Sequence, residues 1–180
     1  MILNLFCLHF LFQDWNNIDS FEQMQAEYMS SDLGYVGFAA DLYGADMHDV
    51  QELETKRAMA GMLRGDTPLY LGRIEAAIQT VSAMPEVDSS KIAIIGYCLG
   101  GTGVLTYSFA NNDPATSKVV AAASFHGGLM EFPITGEVAN KVLVLSGGND
   151  DAGTAVEDLE DRLKQANATW QITRYSGAYF

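Results

Sequence analysis

Residues 91–103 read KIAIIGYCLGGTG, and the order of residue types in them decides the fold. An apolar strand from Lys91 to Tyr97 ends, the chain turns sharply, and a helix to about Ala110 begins. Cys98 sits at the corner, with Gly96 and Gly100 two positions to either side. Such a turn forces its central residue into strained dihedrals that lift the side chain clear of the sheet. The flanking positions must be glycine, because a Cβ there would collide with the neighbouring strand and helix. The flanking elements hold the strain in place. The helix start favours thiolate over thiol, and the Leu99 N–H is placed to meet an oxyanion formed when Cys98 attacks a carbonyl. Cys98 is therefore the candidate nucleophile, whereas Cys7, mid-strand among apolar residues, reads as core packing.

A competing reading takes Gly96, Gly100 and Gly103 as a dinucleotide-binding loop. The motif follows a third strand rather than the first, and the next strand ends in Ser124-Phe125-His126 without an acidic residue. A cysteine at the tight turn has no role in such a loop.

Outward from this corner, apolar runs alternate with helical patterns, the mark of parallel strands joined by helical crossovers. Strands are expected over Leu3–Phe12, Tyr35–Asp41, Lys91–Tyr97, Val119–Phe125, Lys141–Ser146 and Thr169–Tyr175. A helix with Phe21, Met24, Tyr28 and Met29 on one face should close near Gly34. Met59, Met62 and Leu63 suggest a short helix within the polar stretch from Gly44 to Thr67. Pro68–Met84 carries a stripe of Leu71, Ile74, Ile78 and Val81, and Thr154–Gln165 an inner face of Val156, Leu159 and Leu163. The fold class is α/β, one domain over residues 1–180.

The 180 residues are 48% hydrophobic and 18% charged, as a globular domain requires. The net charge of −13 repels phosphate backbones and anionic lipid, so nucleic-acid and membrane-surface binding are not expected. The two cysteines do not form a disulfide framework, which points to a reducing, cytoplasmic setting. The apolar opening MILNLFCLHFLF has no basic n-region or small-residue cleavage site and is too short to span a bilayer. With three scattered histidines there is no ligand spacing for a metal, and no cofactor is expected.

Four motifs in order, GYVGFAADLYG (34–44), GYCLGG (96–101), SFHGGL (124–129) and KVLVLSGGNDD (141–151), resemble the dienelactone hydrolase family. The resemblance runs from about residue 10 to the end of the chain. It implies an α/β-hydrolase fold with a mostly parallel sheet flanked by helices, and a Cys-His-Asp triad that cleaves lactones and other carboxylic esters. It implies Asp150 as the triad acid, with Asp151 the neighbouring alternative; either residue could also cap the helix that follows. It makes the Trp15 N–H the second oxyanion donor. It places Asp14 where the family carries a glutamate that interacts with the resting thiol. Loop packing is the plain alternative for Trp15, and a loop acid for Asp14.

The family histidine follows the last strand in a tract like Y-x-x-A-x-H-x-F. Here that stretch is Tyr175-Ser176-Gly177-Ala178-Tyr179-Phe180, without histidine. Against the family pattern, the antiparallel strands before the first parallel strand and the final helix are lacking, so an incomplete domain is expected. His126, at a strand's C-terminal end with Cys98 and Asp150, is the candidate substitute base; in the family a His-Gly-Gly here is often a structural turn. His9 reads as a strand histidine and His48 as a loop residue.

Tyr43, Tyr97 and Phe125 are candidates to line the pocket. Arg57 and Arg64 are the arginines near its loops, neither assigned. Three readings follow: a thiol-dependent ester or lactone hydrolase acting on small molecules, an inactive relative that binds a small ligand or a protein partner, and a redox-sensing thiol. A monomer is expected.

Overall fold

The apolar runs of this chain become strands whose alternate residues are fully buried on one face and only partly on the other. The computed structural model describes residues 6–47, 49–111, 113–129, 132 and 136–179, without the side chains of 6–10. The expectations for the Cys7 and His9 side chains, and for His48, lie outside these residues. Along them run β1 (Phe6–Phe12), α1 (Ser20–Ser31), β2 (Val36–Ala40), α2 (Leu53–Gly65), α3 (Thr67–Ser82), β3 (Val87–Tyr97), α4 (Leu99–Ala110), β4 (Val119–Phe125), β5 (Lys141–Gly147), α5 (Gly153–Gln165) and β6 (Trp170–Tyr175). The strands form one sheet in the order β2-β1-β3-β4-β5-β6. Every pairing is parallel. This is the α/β architecture expected from the alternation of patterns. The C-terminal ends of the strands share one edge, where Phe12 pairs with Gly96 and Ala40, and Tyr97 with Phe125.

One face of the sheet carries the core. Phe12, Ile92 and Ile94 pack with Leu63, Ile74, Ile78, Val81 and Val104. Val142 and Val144 pack with Leu105, Phe109, Leu159 and Leu163. Full burial of each such side chain is worth roughly 1.5–3 kcal/mol. Helix α4 is buried from Leu99 to Phe109, which is why its sequence is apolar or small on every side. The opposite face is covered differently. Helix α1 lies against β2 so closely that a Cβ at Gly37 would overlap the Ala26 backbone. Further along, Ala93, Ile95, Ala121, Ala123 and Leu143 line an open apolar hollow of about 400 Å³.

Three expectations need correction. Of the face Phe21, Met24, Tyr28 and Met29 expected on α1, only Met29 is buried, with Glu22 beside it; Met24 and Tyr28 are exposed, at 55% and 49%, and Phe21 sets its ring edge-on against Tyr97, 5.1 Å between centres, because the inner contact with β2 is made by small residues. The short helix around Met59 is a thirteen-residue helix, α2, with Leu63 buried and Met62 exposed. Strand β3 begins at Val87 rather than Lys91, since the polar Asp88-Ser89-Ser90 stretch is extended although largely exposed.

Candidate active site

Cys98 has φ +51° and ψ −111°, a left-handed conformation that costs a non-glycine residue on the order of 1–3 kcal/mol. The turn is fixed by close backbone approaches. A Cβ at Gly96 would overlap the Gly100 carbonyl, and one at Gly100 would lie 2.5 Å from the Phe12 carbonyl oxygen. The Cys98 N–H donates to the Phe125 carbonyl at 3.0 Å, binding the corner to β4. Cys98 is partly exposed and has a free thiol. The first-turn N–H groups of α4, beginning with Leu99, have no acceptor within the helix.

The β4 turn is bound to the same helix. Ser124 Oγ donates to the Gly101 carbonyl at 3.0 Å, and the Gly128 N–H donates to Thr102 Oγ1 at 2.9 Å. His126 also has a positive φ, +42°, and its N–H donates to the Leu145 carbonyl at 2.8 Å. Burial pushes its imidazole below the usual 6.5, while the carboxylates of Asp150 and Asp14 pull in the opposite direction. The ring therefore sits within electrostatic reach of two acids. Phe125, His126, Leu145, Tyr175 and Ala178 line an apolar hollow of about 320 Å³ at this end of the sheet. Tyr97 stacks on Phe125 with ring centres 4.7 Å apart.

The two candidate acids after β5 are distinguished by their contacts. Asp151 accepts from Ser146 Oγ at 2.7 Å, and its carbonyl accepts from Arg174 at 3.0 Å. The Asp150 carboxylate folds back over Gly147, where any Cβ would overlap it.

The loop after β1 is held at several points. Gln13 is fully buried and its Oε1 accepts the Leu42 N–H at 2.8 Å. Asn17, at φ +84°, donates from Nδ2 to the Met47 carbonyl at 2.8 Å. Tyr43 Oη donates to the Trp15 carbonyl at 3.0 Å. Glu22, buried in α1, accepts the Asp14 N–H at 3.4 Å and the Asp19 N–H at 3.0 Å. Burial raises the Asp14 pKa, against the lowering effect of the Asn16 N–H. The hydrogen bonds of the Asp14 carboxylate go to Asn16 rather than to Cys98. Trp15 is half-buried against the core.

Arg57 pairs with Glu54 on the exposed face of α2 at 2.9 Å, away from the site. Arg64 acts electrostatically on Tyr43 and Tyr70, and each of these tyrosines also feels Cys98. Arg73 donates to the Leu42 and Tyr43 carbonyls, which fixes the turn after β2. Sequence reasoning did not single out Gln13, Asn17, Glu22, Tyr70 or Arg73. Only Glu22 had a local signal, the Asp19-x-x-Glu22 spacing of a capping box, which the structure forms in full. Among the described residues no group of three or more His, Cys, Asp or Glu could hold a metal, and no helix is long and apolar enough to cross a membrane.

Solved structures share this architecture. The protein m3DLH is 26% identical and superimposes with a TM-score of 0.80, over 96% of this chain and 71% of its own. A dienelactone hydrolase-like promiscuous phosphotriesterase from metagenomic libraries is 24% identical, with a TM-score of 0.80 over 96% of this chain and 70% of its own. A dienelactone hydrolase from Anabaena variabilis is 18% identical, with a TM-score of 0.65 over 97% and 76%. The latter two likenesses are of fold. No curated protein sequence matches the chain. The family model of the dienelactone hydrolases matches residues 10–180, and the chain belongs to the dienelactone hydrolase family.

Proposed function

We propose that the protein hydrolyses small carboxylic esters or lactones with Cys98 as nucleophile. The observation that carries this reading is the left-handed Cys98 at the strand–helix corner, on the same sheet edge as an imidazole that feels Asp150. The Cys98 sulfur attacks the carbonyl carbon, a C–S bond forms, and the carbonyl electrons move onto oxygen. The N–H groups of Leu99 and Trp15 hold that oxyanion; losing one such donor in other enzymes costs about 10²–10³ in kcat. His126, kept neutral by burial, takes the thiol proton and passes it to the leaving alkoxide as the C–O bond breaks. Water then gives a proton to His126 and attacks the thioester, and the C–S bond breaks to return the thiol. Asp150 favours the protonated imidazole between these transfers. Asp14, drawn upward in pKa by burial, is the second acid beside the ring.

Hydrolysis of p-nitrophenyl acetate that vanishes in Cys98→Ala is the expected result, and equal rates in the two proteins would end the proposal. Stoichiometric alkylation of Cys98 without ester turnover would move the reading to a ligand-binding relative.

A further inference from the structure

Tyr43 lies just beyond β2 and is 3% exposed, too buried to offer a ligand much surface. Its hydroxyl donates to the Trp15 carbonyl at 3.0 Å. The turn that carries it is itself pinned. The Tyr43 N–H donates to Asp41 Oδ1 at 2.9 Å, the Tyr43 carbonyl accepts from Arg73 at 2.9 Å, and the Leu42 N–H donates to the buried Gln13 Oε1 at 2.8 Å. The Trp15 loop starts beside the nucleophile corner, since a Cβ at Gly100, in the first turn of α4, would lie 2.7 Å from the Gln13 carbonyl oxygen. The Trp15 N–H belongs to the peptide between Asp14 and Trp15, and no group among the described residues accepts it. The peptides on either side are both held. The one before it donates its Asp14 N–H to Glu22 at 3.4 Å. The one after it donates its Asn16 N–H to Asp14 Oδ1 at 2.5 Å, a bond inside the loop, and presents its carbonyl to Tyr43. The Tyr43 hydroxyl thus ties this peptide to an element outside the loop. Burial holds the phenol well above its usual pKa, so it stays a donor at working pH.

We propose that Tyr43 is a positioning residue for the oxyanion: its hydroxyl holds the Trp15 carbonyl and so keeps the Trp15 N–H aimed at the oxygen of a carbonyl group attacked by Cys98. The inference rests on the hydrolase reading, which makes that N–H the second donor, but its first readout needs no turnover. When the Cys98 sulfur adds to a carbonyl carbon, the C–S bond forms and the C=O electron pair moves onto oxygen. The donors stabilise that charge only where they meet the position it takes. Without the hydroxyl the Trp15–Asn16 peptide is tethered by its own loop alone. The loop can then turn about the Trp15 Cα and swing the preceding N–H off its aim. Alkylation by iodoacetamide displaces iodide at a saturated carbon and builds no oxyanion, so the same loss leaves it untouched.

The test compares wild type with Tyr43→Phe, with circular dichroism establishing that the variant is folded. Two quantities are read at pH 7: the rate of Cys98 alkylation with iodoacetamide, and the concentration of trifluoroacetophenone that half-protects Cys98 from it. The ketone adds reversibly to the sulfur and carries its charge on the former carbonyl oxygen. The expected result is a half-protecting concentration raised about tenfold with an alkylation rate within about twofold of wild type. For p-nitrophenyl acetate, kcat should fall about tenfold with KM within about twofold. A merely structural role moves both probes together or neither. An unchanged half-protecting concentration, or an alkylation rate changed by the same factor, overturns the proposal. Should Tyr43→Phe not fold, Arg73→Met loosens the turn behind the hydroxyl. A loss confined to ketone protection then supports the brace, and parallel or absent changes refute it. If the ketone protects wild type but ester is never turned over, the hydrolase reading fails while this comparison still decides the role of Tyr43. If wild type alkylates and the ketone gives no protection, there is no oxyanion site to hold and the proposal ends.

Discussion

Replacing Gly96 by alanine should destabilise the protein, while replacing Gly61 by alanine should stabilise it. At Gly96 the added methyl overlaps the backbone carbonyl of Gly100, with the Gly101 nitrogen 2.7 Å away. Neither atom belongs to a flexible side chain, so β3 and α4 must separate. Overpacking a dense interior costs typically about 1–3 kcal/mol, and main-chain obstruction puts this site at the upper end, about 2–3 kcal/mol. With a urea dependence of about 2 kcal/mol/M, the unfolding midpoint should fall by about 1–1.5 M. At Gly61, inside α2 and exposed, an added Cβ meets nothing within 4 Å. Alanine there limits the unfolded chain and gains about 0.5–1 kcal/mol, or a Tm about 1–4 °C higher in a protein of this size. Urea and thermal unfolding followed by circular dichroism measure both variants. A Gly96→Ala midpoint within error of wild type would refute the claim that the corner is set by backbone contact.

Asp19→Ala removes a cap that accepts the Phe21 N–H at 2.7 Å and should lower stability by about 1 kcal/mol; an unchanged Tm counts against the capping box. Because burial is the leading influence on His126 and lowers its pKa from 6.5, the ring stays neutral to more acidic pH than a free imidazole. Ester turnover should therefore hold steady from pH 8 to 6.5 and fall below that range. An acid limb centred above 6.5, or an identical pH profile in His126→Asn, removes His126 from the mechanism.

Six strands and the Cys98 corner were legible from periodicity and punctuation, because a strand such as Val119–Phe125 is apolar or small at nearly every position. Helix α1 was misjudged for a physical reason. Its contact with β2 is made through Gly37 and the Ala26 backbone, so Met24 and Tyr28, which would usually mark an inner face, are left exposed. Asp150 and Asp151 are indistinguishable as letters, and their contacts differ only in the fold, where Ser146 donates to Asp151 and Asp150 lies against Gly147. Tyr70, Gln13 and Arg73 act across about thirty residues of sequence or more, and nothing local announces such a contact. The motifs marked the Cys98 corner; the contacts that hold it are tertiary.

The strand order also governs how the molecule comes to be built. With every neighbour parallel among the described strands, none of these pairings is a hairpin, and each ladder waits for a long excursion of chain to return. The central β1–β3 ladder is the most demanding, since it joins Phe12 to Gly96 across three intervening helices and an edge strand. The bend at Cys98 leans on that ladder through the Phe12 carbonyl, so it should acquire its final shape late. A pulse of thiol label during refolding would then find the sulfur still in its unfolded-chain reactivity after most helical signal has returned.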